Sequence, residues 1–411
     1  MSELLSSDSY KGVRDFYPKD WARLSAIFGT LKKTLALWGY EEYNASPLER
    51  AELYEAKTSE EIVNEQTYTF IDRGDRKVTL RPEMTPTLAR MVAAKRRELA
   101  LPLRWFSIGN RFRYERPQRG RLREFYQTDI DIIGLPEGEA DIEIIRIVSE
   151  ILKSFGATEK DFVIRISSRA LLNAACEAAG LTREAARAYL RLLDKKSKMT
   201  PEAFAAAHET ITVKDPLSLV KPKVMETFIA TLKSRGVGNA LFDPSITRGF
   251  DYYTGMVFEV FDTNPANPRA MFGGGRYDGL MTLFGGDPIP AVGFAIGEVT
   301  LGDFLDTHGL MPKDDGRAPQ LYLGTPSLSD IPAAQAFADT LRKEGGRVFV
   351  NLTDKSLGDQ IKDAVKRGIP LFIAYGKDEV ANQTVRMKIL ATGEEAGLPV
   401  SELPVRLRTG S

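Results

Sequence analysis

Six short runs of strand-like composition, at 67–72, 77–81, 104–113, 123–133, 162–166 and 257–261, constrain this chain most, because many neighbours are separated only by short or charged turns. Parallel strands need long crossovers, so this spacing favours an antiparallel sheet. Ahead of them Trp21, Leu24, Ile27, Phe28, Leu31 and Leu35 recur at helical spacing over 19–38, and Gly39 stops the run. That pattern predicts an amphipathic helix. An alternating stretch then ends at Ser46-Pro47, where proline marks a strand end or edge because it brings no N–H to the ladder. Between about 168 and 236 the composition turns to Ala, Leu, Lys and Glu at helical spacing, a helical insertion. The polar, Gly- and Pro-rich THGLMPKDDGRAP at 307–319 has the character of an interdomain linker. Beyond it LYLG (321–324), a helix over 331–345, RVFV (347–350), a helix over 357–367 and PLFIAYG (370–376) set a βαβ rhythm. This predicts a small α/β domain with parallel strands. A chain of 411 residues exceeds one compact core, and the expected division is 1–315 and 316–411.

Lys plus Arg balances Asp plus Glu at 56 each, so a polyanion has to be held by a local basic patch and not by overall charge. The lone cysteine, Cys176, excludes an intramolecular disulfide and a cysteine-rich zinc site, and fits a reducing compartment. His208 lies in an Ala-rich helical stretch and His308 beside Gly309, both read as structural or solvated, so histidine acid–base catalysis and a His-ligated metal are not expected. The N-terminus has no apolar core of signal-peptide length and no other run approaches a membrane span. The expected location is cytoplasmic, without membrane contact.

Four clusters could carry chemistry. Residues 111–123 hold six arginines and one glutamate. Arginine forks suit phosphate oxygens, and Pro117 with Gly120 makes the segment a loop between two strands; the alternative is a solvated hairpin tip. LRPEMTP at 80–86 puts a carboxylate and a hydroxyl just after a strand, or else a cap with Thr85 opening a helix. TRGFDYYTG at 247–255 combines an arginine, an acid and two tyrosines between glycines; it is a ligand-approaching loop or an aromatic core turn. FGGGRYDGL at 272–280 and AVGFAIG at 291–297 are glycine-rich but match no phosphate-loop or dinucleotide fingerprint.

In this order, the clusters resemble the histidyl-tRNA synthetase family over nearly the whole chain. The early helix and the strand ending at Pro47 look like class II motif 1, which in class II enzymes builds the dimer interface. Arg111 to Gly134, containing FRYERPQRGRLREFYQTDIDIIG, resembles motif 2 closely. RGFDYYTG (248–255) resembles the histidine-specific signature and GGGRYDGL (273–280) is similar to the family pattern. The linker and terminal domain, with KSLGDQIKDAVKRGIPLFIAYGKDEVANQTVRMKIL (355–390), look like the family's anticodon-binding domain.

The resemblance implies a class II catalytic core, an antiparallel sheet flanked by helices with a helical insertion, plus a C-terminal α/β anticodon-binding domain. It implies a homodimer that activates L-histidine with ATP and Mg²⁺ and transfers it to the 3′ end of its transfer RNA, with no protein-ligated structural metal. Because the histidine carboxylate is already ionised at neutral pH, the first step needs alignment and charge neutralisation and no strong general base. Arg113 resembles the motif 2 arginine that bridges the α-phosphate and the histidine carboxylate, and Arg248 the family's second arginine at the α-phosphate, so both are also expected on histidine. Phe125 would stack under adenine and Glu115 accept from its amine, with Arg121 and Arg123 also on ATP. Glu83, Thr85 and Gln127 resemble the ammonium site, and Asp131, Tyr252 and Tyr253 the imidazole pocket, where many bacterial members have glutamate in place of Asp131. Arg116 and Gln118 are the candidates for recognising the transfer RNA end.

Two positions depart from the family pattern. Motif 3 usually ends in an arginine on ATP, and here Thr300 stands at that place, leaving Arg121, Arg123 or Arg276 to cover the ATP tail. Met84, counted with Glu83 and Thr85 among the expected histidine-binding residues, replaces the glycine common in bacterial members and narrows the space beside them. The alternative reading is a non-catalytic, synthetase-like regulatory subunit of histidine biosynthesis. Such subunits generally lack the terminal domain and have eroded signatures, and here both are present.

Overall fold

The structure is a computed structural model that describes residues 5–55, 66–115, 121–196, 199–212, 214–248, 252–312 and 318–409. It divides into two compact units, 1–313 and 314–411. In the first, short strands β1 (Glu41–Glu42), β2 (Leu48–Arg50), β3 (Tyr68–Ile71) and β4 (Lys77–Leu80) precede the long strands β5 (Leu103–Phe112) and β6 (Glu124–Ile133). β7 (Phe162–Ser168), β8 (Ala240–Phe242), β9 (Met256–Asp262), β10 (Ala270–Arg276) and β11 (Ala291–Gly297) follow. The helices are α1 (Pro18–Leu37), α2 (Ala51–Glu55), α3 (Thr85–Lys95), α4 (Glu139–Ser154), α5 (Arg169–Ala178), α6 (Arg183–Lys195), α7 (Pro201–Ile211), α8 (Lys223–Ser234) and α9 (Glu298–Thr307).

Eight strands form the main sheet in the order β1-β5-β6-β11-β10-β9-β7-β8. Its interior pairings are antiparallel, as the turn spacing predicts, and only the edge pairs β1/β5 and β7/β8 are parallel. Strand β6 shows how sequence assigns the faces. Ile130 and Ile132 join the core beneath α1 and α4, while Phe125, Gln127, Asp129 and Asp131 point to the opposite side, because successive side chains alternate across a strand. Helix α4 is buried around most of its circumference, from Ile142 to Leu152; it packs against the sheet on one side and α1 and α8 on the other.

The two glycine runs are central strands, β10 and β11, and not loops. Their glycines are required by close backbone approach. A Cβ on Gly273 would sit 2.3 Å from Phe258 O, one on Gly274 2.1 Å from Gly293 O, and one on Gly293 2.0 Å from Asp131 Oδ1. The floor of the sheet is therefore left bare beside Asp131. Helices α5 to α7 enclose a small core of their own, with Leu172, Cys176, Tyr189, Leu190 and Leu193.

The second unit runs β12 (Leu321–Gly324), α10 (Ile331–Lys343), β13 (Val348–Val350), α11 (Leu357–Arg367), β14 (Leu371–Ala374), α12 (Lys377–Asn382), β15 (Thr384–Ile389), β16 (Glu395–Pro399) and α13 (Leu403–Thr409). Its sheet order is β13-β12-β14-β15-β16. The first three strands are parallel, as the βαβ rhythm implies. The antiparallel hairpin β15/β16 was not foreseen, because only Val385 and Met387 turn inward while charged residues occupy the outer face.

Candidate active site

Above the bare strands lies a cavity of about 270 Å³ lined by the β4–α3 turn, β6, β10, β11, α9, the residues that follow β5 and the segment before β9. The β4–α3 turn supplies Glu83 and Thr85. Thr85 opens helix α3 with Pro86 in its first turn, so its hydroxyl is not a cap; the N-cap position belongs to Met84, which makes no side-chain cap bond. Met84 is wholly buried, touches Arg81 Nη1 through its sulfur at 3.7 Å, and does not line the cavity. Tyr252 donates to Glu83 Oε2 at 3.0 Å. Burial and the adjacent Glu83 push the Tyr252 phenol well above its ordinary pKa, so it stays a donor.

The alternation of β6 delivers Phe125, Gln127, Asp129 and Asp131 to the cavity in one row. Gln127 Nε2 donates to Asp129 Oδ1 at 2.8 Å, and Asp129 Oδ2 is held by the fully buried Arg111 at 2.5 Å. Arg111 is thus a support beneath Gln127. Asp131 accepts from Tyr277, whose own pKa burial and Asp131 raise. Burial lifts the Asp131 carboxyl from 3.8 to about 8, Asp129 adds to the rise and the Tyr277 bond opposes it.

Arg248 adopts φ 59°, a left-handed backbone that costs a non-glycine residue roughly 1–3 kcal/mol. Its Nη1 is paired with Glu259 on β9 at 2.8 Å. Burial alone would lower the Arg248 pKa, but Tyr253 and Glu259 hold it above the usual arginine value. The ring of Tyr253 rests where β10 has Gly275, whose Cβ would lie 2.9 Å from Tyr253 Cδ1.

Arg113 enters from the end of β5, its Nε bound to Pro82 O at 3.0 Å and its guanidinium 5.4 Å from the Phe125 ring centre. Burial lowers its pKa, with Glu115 and Glu83 opposing. Arg121 lines the same cavity and pairs with Glu115 at 3.0 Å. Arg123 does not reach it: the side chain stacks 3.9 Å from the Tyr114 ring centre and bonds Glu115 O at 3.2 Å. Arg276 is also outside, buried and tied to Asp141, Asp278, Leu135 O and Pro136 O. Thr300 lines the cavity but spends its hydroxyl on Met271 O at 2.7 Å and Gly297 O at 3.1 Å. Of the arginines named for the place of the motif 3 residue, Arg121 is the one in the cavity. Arg116 and Gln118 lie outside the described residues.

The structure adds residues to which the sequence reading gave no role: Asp129, Tyr277, Glu259 and the glycines of β10 and β11. Asp129 was legible, since period-two alternation places it between Gln127 and Asp131. Tyr277 carries no local signal, because its partner Asp131 is far away in sequence; Glu259 is close in sequence to Arg248, but within the strand pattern of β9 nothing marks it as that arginine's partner. His208 lies 4.0 Å from Asp215, and His308 is held by Asp262 at 2.8 Å and Asp161 at 3.5 Å; neither lines the cavity. Among the described residues, no cluster of three or more His, Cys, Asp or Glu could hold a metal ion.

The family described as histidyl-tRNA synthetase matches residues 12–218 and 200–300, and the anticodon binding domain family matches 323–409. A histidine–tRNA ligase of Leptospira biflexa is 39% identical over 424 residues, covering 97% of this chain and 96% of the relative. One of Opitutus terrae is 40% identical over 432 residues, covering 97% and 98%. Among solved structures, the histidyl-tRNA synthetase of Nostoc sp. PCC 7120 has a TM-score of 0.78 at 23% identity, covering 98% of this chain and 100% of that one. A Bacillus halodurans C protein described as an ATP phosphoribosyltransferase regulatory subunit/histidyl-tRNA synthetase has a TM-score of 0.70 at 23% identity, covering 91% and 100%. Similarity at that identity speaks for the fold alone.

Proposed function

This chain belongs to the histidyl-tRNA synthetase family and is a histidine–tRNA ligase, and from that premise we propose which of its groups carry each step. The observation that supports the assignment is convergence: Glu83, Thr85, Gln127, Asp131, Arg248, Tyr252 and Tyr253 share one cavity with Arg113, Glu115, Arg121 and Phe125. Glu83, Thr85 and Gln127 accept from the histidine ammonium, and the Asp131–Tyr277 pair with Tyr252 and Tyr253 meets the imidazole nitrogens. An apolar isostere would leave these buried groups unsatisfied, which is a strong basis for rejection.

Adenine stacks on Phe125 with its amine toward Glu115. A carboxylate oxygen of histidine bonds to the α-phosphorus as the α–β anhydride bond breaks and pyrophosphate leaves. Arg113 and Arg248 both line the cavity and neutralise the charge developing at the α-phosphate. Mg²⁺ bound to the ATP phosphates would add charge neutralisation there. Arg121 leaves Glu115 to meet the ATP tail, the role that Thr300 cannot fill. The terminal hydroxyl of transfer RNA then attacks the adenylate carbonyl and AMP departs. We assign catalysis to 1–315 and anticodon reading to 316–411, with Arg116 and Gln118 at the acceptor end.

A homodimer through the motif 1 region is supported by the exposed apolar residues Leu37 at the end of α1 and Leu48 just after Pro47. A cytoplasmic site fits the single buried thiol, and no described helix is long and apolar enough to cross a membrane.

The test is exchange of pyrophosphate into ATP by the pure protein, which should require histidine. Thr300 is the one observation on the side of a regulatory subunit. Absence of exchange with any amino acid, in a folded dimer that still binds histidine, would establish that reading instead.

A further inference from the structure

The segment before α1 does not simply lead into the fold; it lies across the back of the strand that carries Phe125. Gly12 O accepts from Arg123 N at 2.8 Å and Glu124 N at 3.4 Å, extending the ladder at the start of β6. Arg123 Nη1 reaches the Tyr10 hydroxyl and Lys11 O, each at 3.4 Å. Phe16 packs against Tyr126 with ring centres 6.0 Å apart, and Trp21 closes the same cluster at 5.8 Å from Tyr126. Tyr126 is the neighbour of Phe125 on the opposite face of β6, so this cluster backs the Phe125 ring.

Arg14 extends from the same segment to Glu298, the first residue of α9, and forms an ion pair with its buried carboxylate. Glu298 also accepts from Tyr126 N at 3.4 Å. The residues that follow, Val299 and Thr300, line the cavity. Residues 10–16 thus bridge the start of β6 and the N-terminus of α9, which the β6/β11 ladder brings side by side at Gln127 and Gly297. An arginine at position 300 would tie α9 to the nucleotide directly. Thr300 instead binds only backbone oxygens, so the placement of α9 falls to its scaffold.

We propose that residues 10–16 form a strap that sets the spacing between Phe125 and the start of α9, with Arg14 as the positioning residue that transmits it to the ATP half of the cavity. The proposal rests on the assignment of Phe125, Glu115 and Arg121 to the nucleotide. It separates two effects that a purely structural ion pair would not separate. Loss of Arg14 loosens the α9 wall and leaves the histidine groups on β4–α3, β6 and before β9 in place.

Full-length Arg14→Ala, Arg14→Lys and Glu298→Gln are compared with wild type in histidine-dependent exchange and in equilibrium binding of ATP. Arg14→Ala and Glu298→Gln should raise the KM for ATP about tenfold while the KM for histidine stays within about twofold, and Arg14→Lys should recover most of the loss. If Arg14→Ala does not fold, Glu298→Gln, which keeps the shape of the side chain, supplies the same comparison. Equal rises in both KM values, or a lowered melting temperature with the KM for ATP unchanged, would overturn the strap. A wild type without exchange overturns the activity assignment alone; weakened ATP binding in the variants would still support the strap, and unchanged ATP binding would reject it.

Discussion

At the residue scale, Arg248 has a left-handed backbone and Asp131 a carboxyl raised by burial, and both line the cavity. Arg248 accepts a left-handed backbone and a partly buried charge, offset by Glu259. If its work is done on the charge that develops during activation, Arg248→Ala should lower kcat about a hundredfold while the histidine Kd moves less than about threefold. Rapid-quench measurement of adenylate formation beside equilibrium histidine binding checks this, and equal losses in both would assign the arginine to ground-state binding. Asp131 gives a stability prediction with a definite sign. Its carboxyl is raised from 3.8 to about 8 in the folded state, so between about pH 4 and pH 8 the native protein keeps a proton that the unfolded chain releases. Stability therefore falls as pH rises through that window and levels off above it. Asp131→Asn keeps an acceptor for Tyr277 and removes the titration. Its melting temperature should match wild type near pH 4, rise above it through neutrality and hold a constant lead beyond about pH 8, as calorimetry across pH would record. Most of these site residues were legible because they sit in dense local patterns, RPEMT, the alternating β6 row and RGFDYY. Tyr277 and the immobilisation of Arg276 were not, since each depends on a partner from a distant segment; the Glu259–Arg248 pair and the stacking of Arg123 on Tyr114 join residues near in sequence, but only the folded strands bring them together.

At the element scale, β10 is both the floor of the cavity and an anchor to α4. Arg276 and Asp141, each 1% exposed, pair at 2.7 Å, and Asp278 and two carbonyls complete the arginine's bonds. Breaking such a pair leaves an uncompensated buried charge. Arg276→Met should cost about 3–5 kcal/mol in denaturant unfolding, and Arg276→Met with Asp141→Leu should return most of it. If Arg276 instead met ATP, the single variant would lose exchange with its stability unchanged. The same strand shows where sequence pattern stops being informative. Long amphipathic runs such as α1 and the βαβ rhythm of β12 to β14 are set by periodic burial and read well. A strand of bare glycines such as 273–275 has no side-chain period to read, and its identity comes from the close approach of Phe258 O and Gly293 O on its neighbours. The β15/β16 hairpin is hidden for the opposite reason, because its charged outer face masks the inward Val385 and Met387.

At the scale of the whole molecule, each unit has its own apolar core, one built around Ile130, Ile145 and Phe258 and the other around Leu321, Ala338 and Ile373. The candidate groups for histidine and ATP all lie in the first unit, and the sequence match to an anticodon binding domain lies in the second. With 56 basic and 56 acidic residues there is no net charge to hold transfer RNA nonspecifically, so binding must come from local contacts, which the proposed function places in both units. Two linked contact regions gain from effective concentration, and losing one weakens the complex by far more than its own share. A chain ending at residue 312 should therefore keep histidine-dependent pyrophosphate exchange within about fivefold, while charging of transfer RNA at submicromolar concentration falls by about 10² or more. Raising the transfer RNA concentration should recover part of that loss if the second unit contributes affinity alone. A charging rate that stays low at saturating transfer RNA would show instead that the second unit orients the acceptor end for attack on the adenylate.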